Sequence, residues 1–194
     1  MRTTRLVTLL LPVMLLAGAC SDEDPPAEDA GSAAAPSTSA NASPTAAAAP
    51  SAEAISADDV PTGTVAATYP GPAGGSTVRL QALPLEVRGE LATLTVLWTP
   101  TFPGATATEK IDLYEMNSKQ PVYVSLVDTE NLKRHNVVKD SSGRDLSTET
   151  VGTGSVSGSP VASRYTFAAP ADGVTSVDVY VGSFPPLADV PVER

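Results

Sequence analysis

Nine residues restrict this chain more than any others: Leu91 to Thr99, reading Leu-Ala-Thr-Leu-Thr-Val-Leu-Trp-Thr. The run is apolar, rich in Thr and Val, and closed on its far side by Pro100, Pro103 and Gly104. β-branched and aromatic residues fit a pleated surface and lose side-chain freedom in a helix. The stretch therefore predicts a strand in a central position. It also needs partners, because a strand with apolar residues on both faces is stable only inside a sheet.

The partners are legible on both sides. Thr77-Val-Arg-Leu-Gln-Ala alternates apolar and polar residues, as a half-buried strand does. Leu83 to Arg88 continues it, with Pro84 forcing an edge or a break, and Arg88-Gly89 reads as a turn. Glu109 to Met116 fits either a short strand or a single helical turn. Val122 to Val127 and Lys133 to Lys139 read as a hairpin about an Asx-rich turn, Asp128-Thr-Glu-Asn-Leu. Asp140-Ser-Ser-Gly143 is a second tight turn. Leu146 to Pro160 is Ser, Thr and Gly with little to bury and is expected as a surface loop. Ala162 to Ala168, Val174 to Val181 and Leu187 to Val192 complete the set, the last expected on an edge. Trp98, the single tryptophan, is expected as a core anchor. About seven or eight short strands, with no long helix and no strand–helix alternation, predict an all-β sandwich or barrel.

Composition sets the boundary of this domain. From Ser21 to Val60 there are eight acids and no base; from Pro61 onward there are fourteen acids and ten bases. The acidic stretch is Ala, Ser, Pro and Thr with no aromatic residue, so it cannot bury enough apolar surface to offset the entropy of ordering. A disordered tether is expected there. Ahead of it, Arg2 and Arg5 precede an apolar run from Leu6 to Leu16 and the small residues Ala17, Gly18 and Ala19. That is the pattern of a secretory signal peptide, too short to stay as a membrane span.

The only cysteine, Cys20, follows directly. Leu16-Ala17-Gly18-Ala19-Cys20 resembles a permissive form of the lipobox of bacterial lipoproteins, with Ala17 where Leu is commonest. The resemblance implies cleavage between Ala19 and Cys20 and diacylglyceryl modification of the Cys20 thiol, hence a membrane partner through lipid on the extracytoplasmic face. Two or more acyl chains anchor stably where one does not. The expected organisation is residues 1–19 signal peptide, 20–62 lipidated Cys and linker, and 63–194 β domain. With Cys20 so used, the domain holds no cysteine, which excludes disulfides, thiol redox chemistry and thiolate metal sites. A net charge of −10 argues against nucleic acid as a partner.

A second resemblance lies in Leu85-Glu-Val-Arg-Gly-Glu-Leu-Ala-Thr-Leu-Thr-Val, in Val124-Ser-Leu-Val-Asp-Thr-Glu-Asn-Leu-Lys-Arg with Asp140-Ser-Ser-Gly, and in Val177-Asp-Val-Tyr-Val with Ala188-Asp-Val-Pro-Val. In this order the pieces resemble small immunoglobulin-like domains of exported proteins in high-GC Gram-positive bacteria. The resemblance implies an immunoglobulin-like antiparallel β-sandwich. It carries no catalytic motif.

Candidate chemistry is sparse. His135 is the only histidine, and no Gly-x-Ser-x-Gly elbow accompanies it. Asp128, Glu130, Asp140, Asp145 and Glu149 are oxygen donors near two turns, but their spacing does not fit an EF-hand loop. Gly152-Thr-Gly-Ser-Val-Ser-Gly lacks the Lys of a phosphate loop. No cofactor and no metal site are expected, and no enzymatic role. The expectation is a binding or structural module for a protein or cell-wall polymer, with Tyr123, Tyr165, Tyr180, Lys133 and Arg134 as surface contacts. The alternative is a small-ligand or calcium carrier.

Overall fold

The computed structural model describes residues 60–194. The signal peptide, the cleavage site at Ala19, Cys20 and most of the tether lie outside the described residues.

The expected all-β sandwich is what the described chain forms. Its centre is β4 (Leu91–Thr101), and β2 (Thr77–Ala82) and β3 (Leu85–Arg88) lie end to end along one side of it. On the other side β9 (Val161–Ala168) pairs antiparallel with β4 from Leu91 to Trp98. β1 (Val65–Pro70), a strand unforeseen in the sequence, covers the far side of β2. The second layer is β11 (Leu187–Glu193), β10 (Ser176–Val181), β6 (Val124–Asp128) and β7 (Lys133–Asn136), in that order.

Prolines shape two of these strands. Between β2 and β3 the register against β4 slips by one residue, from Ala82↔Val96 to Glu86↔Thr93. One extra residue is thus held at Leu83–Pro84, a β-bulge, and it turns Pro84 and Leu85 inward in succession. Pro100 does not end its strand as expected. Its carbonyl accepts from Gly158 N at 2.7 Å, so its missing N–H faces a loop beyond the end of β9 and removes no bond to β2.

The two layers are joined twice. Val192 and Glu193 of β11 pair parallel to Leu85 and Glu86 of β3. This one parallel pair makes the architecture mixed rather than wholly antiparallel, and it puts the last strand in a seam instead of on an edge. On the opposite side the chain beyond β7 runs along β9: Val137 bridges Phe167 and Ser147 bridges Tyr165. Val138 N donates to Thr166 O at 2.9 Å.

Both readings of Glu109 to Met116 hold in part. Lys110–Asp112 is a strand, β5, and Leu113–Met116 is one helical turn, α1. Asp112 and Glu115 cap that turn reciprocally, each side chain accepting from the other's backbone N–H. Leu113 and Met116 are fully buried. The expected loop from Leu146 to Pro160 contains β8 (Gly154–Val156), which pairs with β5. A Cβ at Gly154 would collide with the Ile111 carbonyl and the Asp112 backbone, so only glycine lets these two segments approach.

Trp98 is the core anchor expected of it. It is fully buried, edge-on to Phe184 with ring centroids 5.9 Å apart, and Phe184 in turn stacks on Tyr69 at 5.4 Å. The indole N–H donates to Ser163 Oγ at 2.8 Å, and that hydroxyl donates to Val96 O at 3.2 Å.

Candidate functional site

Strand register decides which surface residues share a face. Tyr180, Ser125 and Asn136 stand opposite one another across β10, β6 and β7. Asp178, Val127 and Arg134 form the next row. Opposed residues in antiparallel strands put their side chains on the same side of the sheet. The intervening row, Val179, Leu126 and His135, must face inward, and Val179 and Leu126 are indeed fully buried. Tyr123 lies two residues before Ser125, with its carbonyl held by Gly182 N at 2.8 Å, so it joins the outward side diagonal to Tyr180.

Two of the three expected surface tyrosines therefore come together. Tyr123 is 74% exposed and Tyr180 39%. Tyr165, expected at the surface, does not join them: at 2% exposure it belongs to the core, because it pairs with inward-facing Leu94 of β4. Burial pushes its hydroxyl up to about 12. Lys133 and Arg134 are both exposed on β7 but, as consecutive strand residues, point to opposite sides. Arg134 stands on the face with the tyrosines; Lys133, opposite the buried Asp128, does not. Neither side chain carries a hydrogen bond or an ion pair to another described residue.

Sequence reasoning missed Ser125 and Asn136 as members of this face. The signal was available in the hairpin, whose register fixes both once its turn is placed. Ser125 is 3% exposed and its hydroxyl, buried, has no hydrogen-bond partner. Such a group forfeits about 1–3 kcal/mol against a satisfied one.

The carboxylates near the two turns do not converge. Asp128 is buried and accepts from Asn131 N at 3.0 Å and Asn131 Nδ2 at 2.8 Å. The Asn131 backbone N–H, above all, holds its pKa below the ordinary carboxylate value. Asp140 accepts from Ser142 Oγ at 2.6 Å, Ser142 N at 2.8 Å and Arg144 N at 3.0 Å. These bonds, the Ser142 hydroxyl first, bring its pKa down to about 2. Asp145 pairs with Lys139 at 2.8 Å. Both aspartates at the turns thus close their own backbone, and Glu130 and Glu149 are exposed. Among the described residues no three His, Cys, Asp or Glu gather as a metal would require.

His135 faces inward, half-buried, with Nε2 buried and unpartnered. A shallow, open hollow lies over the β1–β2 turn between Thr68 and Thr77. It contains none of the candidate site residues. The outer face of β10, β6 and β7 is the best-defined candidate site. No known protein family, curated protein or solved structure matches this chain.

Proposed function

We propose that the chain is an extracytoplasmic lipoprotein, held to the cell membrane through Cys20, whose β-sandwich acts as a binding module for a macromolecule of the envelope. The anchor rests on the sequence alone: a charged start, an apolar run, small residues and then the only cysteine, in lipobox order. The likeness to small immunoglobulin-like domains of exported proteins supports the same location. The observation that carries the binding reading is the outer sheet face, where Tyr123 and Tyr180 are exposed side by side with an unpaired Arg134. Tyr and Arg are over-represented among residues that dominate binding energy. A flat face of this kind suits an extended ligand rather than a small molecule in a cleft. The role is accordingly non-enzymatic.

The experiment is intact mass and detergent partitioning of the native protein beside Cys20→Ala. A chain beginning at Cys20 with added diacylglycerol mass, partitioning into detergent, is expected for the native protein and not for the variant. Two equally water-soluble, unlipidated proteins would remove the anchor.

A further inference from the structure

We infer that the outer face of β10, β6 and β7 binds an acidic polysaccharide, with Tyr123 and Tyr180 stacking on sugar rings and Arg134 pairing with a carboxylate. This rests on the binding reading just given and supplies its ligand class. Three observations on the same face lead to it.

The first is the placing of the rings. Tyr123 and Tyr180 are diagonal neighbours on adjacent strands, with Cα atoms roughly 7 Å apart, and both are exposed. Phenol rings present an apolar face and a polar tip, which is the dual character of a sugar ring. The second is what lies between and beside them. The centre of the row is Ser125, with Asn136 at its β7 end, and Val127 is the one aliphatic residue in the row beside it. Protein interfaces have an apolar centre and a polar rim; here the centre of the row is polar, as a polyhydroxyl ligand requires. The Ser125 hydroxyl, buried and without a partner, is a polar group already paid into the floor of the site. A hydroxyl of the ligand would supply the partner it lacks.

The third is charge. Arg134 is an exposed cation on the β7 side of the face, its side chain without hydrogen bond or ion pair to another described residue, while Lys133 points to the other side of the strand. The acid in the row of Arg134, Asp178, accepts from Asp189 N at 3.1 Å and is turned toward β11. The guanidinium is thus left to a ligand carboxylate, which it can hold by two parallel hydrogen bonds.

The test is titration of the full chain in detergent with polygalacturonate, beside uncharged dextran, followed by changes in tyrosine fluorescence and by calorimetry. Saturable binding of polygalacturonate, weakened by added salt, with dextran at least tenfold weaker, is expected. Tyr123→Ala with Tyr180→Ala should weaken it tenfold or more, and Arg134→Gln should bring it to the level of dextran. Ser125→Ala should bind several-fold more weakly while melting no lower than the parent, which separates a ligand contact from a structural role. Cys20→Ala should bind as the parent does, so loss of the anchor leaves this result intact. No saturable binding, equal binding of dextran, or binding indifferent to both tyrosines would overturn the assignment.

Discussion

Ser163 is a small residue with a large share in the core. Its hydroxyl takes the Trp98 indole N–H and passes a bond to Val96 O, so the largest buried side chain is satisfied through one atom. Ser163→Ala leaves that N–H buried without an acceptor and should cost about 1–3 kcal/mol, read as a lower urea midpoint with an unchanged slope. Tyr165 supplies a second prediction. Its folded pKa, about 12, stands above the ordinary tyrosine value of 10.0. The stability due to this shift is full below pH 10 and is lost as pH rises toward 12. Tyr165→Phe should flatten stability across that window, as melting temperatures measured at intervals of pH would reveal. The sequence did not betray this burial. A tyrosine in a Ser/Arg/Thr-rich stretch looks half-exposed until β9 is known to lie between β4 and the chain after β7.

The elements divide by how far away their partners are. β4, β6 and β7 were legible because alternation and an Asx turn are local signals. β1 was not, since Val-Ala-Ala-Thr-Tyr-Pro is a run of small residues whose pattern appears only against β2. β8 was hidden for a related reason: its strand character comes from β5, more than forty residues earlier, and its glycine looked like a loop residue when it was a contact residue. The candidate face was half legible: Tyr123, Tyr180 and Arg134 stood out by type, whereas Ser125 and Asn136 joined them only through register. Of the small elements, α1 depends most on its cap. Asp112→Ala removes the acceptor for Glu115 N, 2.8 Å away, and should cost about 1 kcal/mol. The loss should appear as a lower melting temperature, and Asp112→Asn should largely restore it.

At the scale of the whole molecule, β11 belongs to both layers. It pairs with β10 through Leu187 to Pro191 and with β3 through Val192 and Glu193. Neither layer can therefore open without disturbing the other. Trp98 fluorescence, which reports the layer around β4, and near-ultraviolet dichroism, which also senses the tyrosines of the second layer, should follow one coincident urea transition. Leu187→Ala, in β11 where it pairs with β10 and 2% exposed, should move both probes together by about 2–5 kcal/mol. Two separated transitions would mean that the seam does not couple the layers.

The position of β1 has a mechanical consequence. A load drawn through the chain ahead of Val60 enters the domain at the outermost strand, at the open end of its hairpin, where Val65 faces Ala82. Force applied there parts the strand pair bond by bond instead of shearing all its bonds at once. Each freed residue lengthens the chain by roughly 3.3 Å, so the six residues of β1 yield about 20 Å of slack. Peeling then meets Tyr69, clamped by its hydroxyl to Pro185 O at 3.0 Å and by its ring to Phe184. The strand least anchored in the core would act as a fuse, extending first and sparing the outer face of β10, β6 and β7.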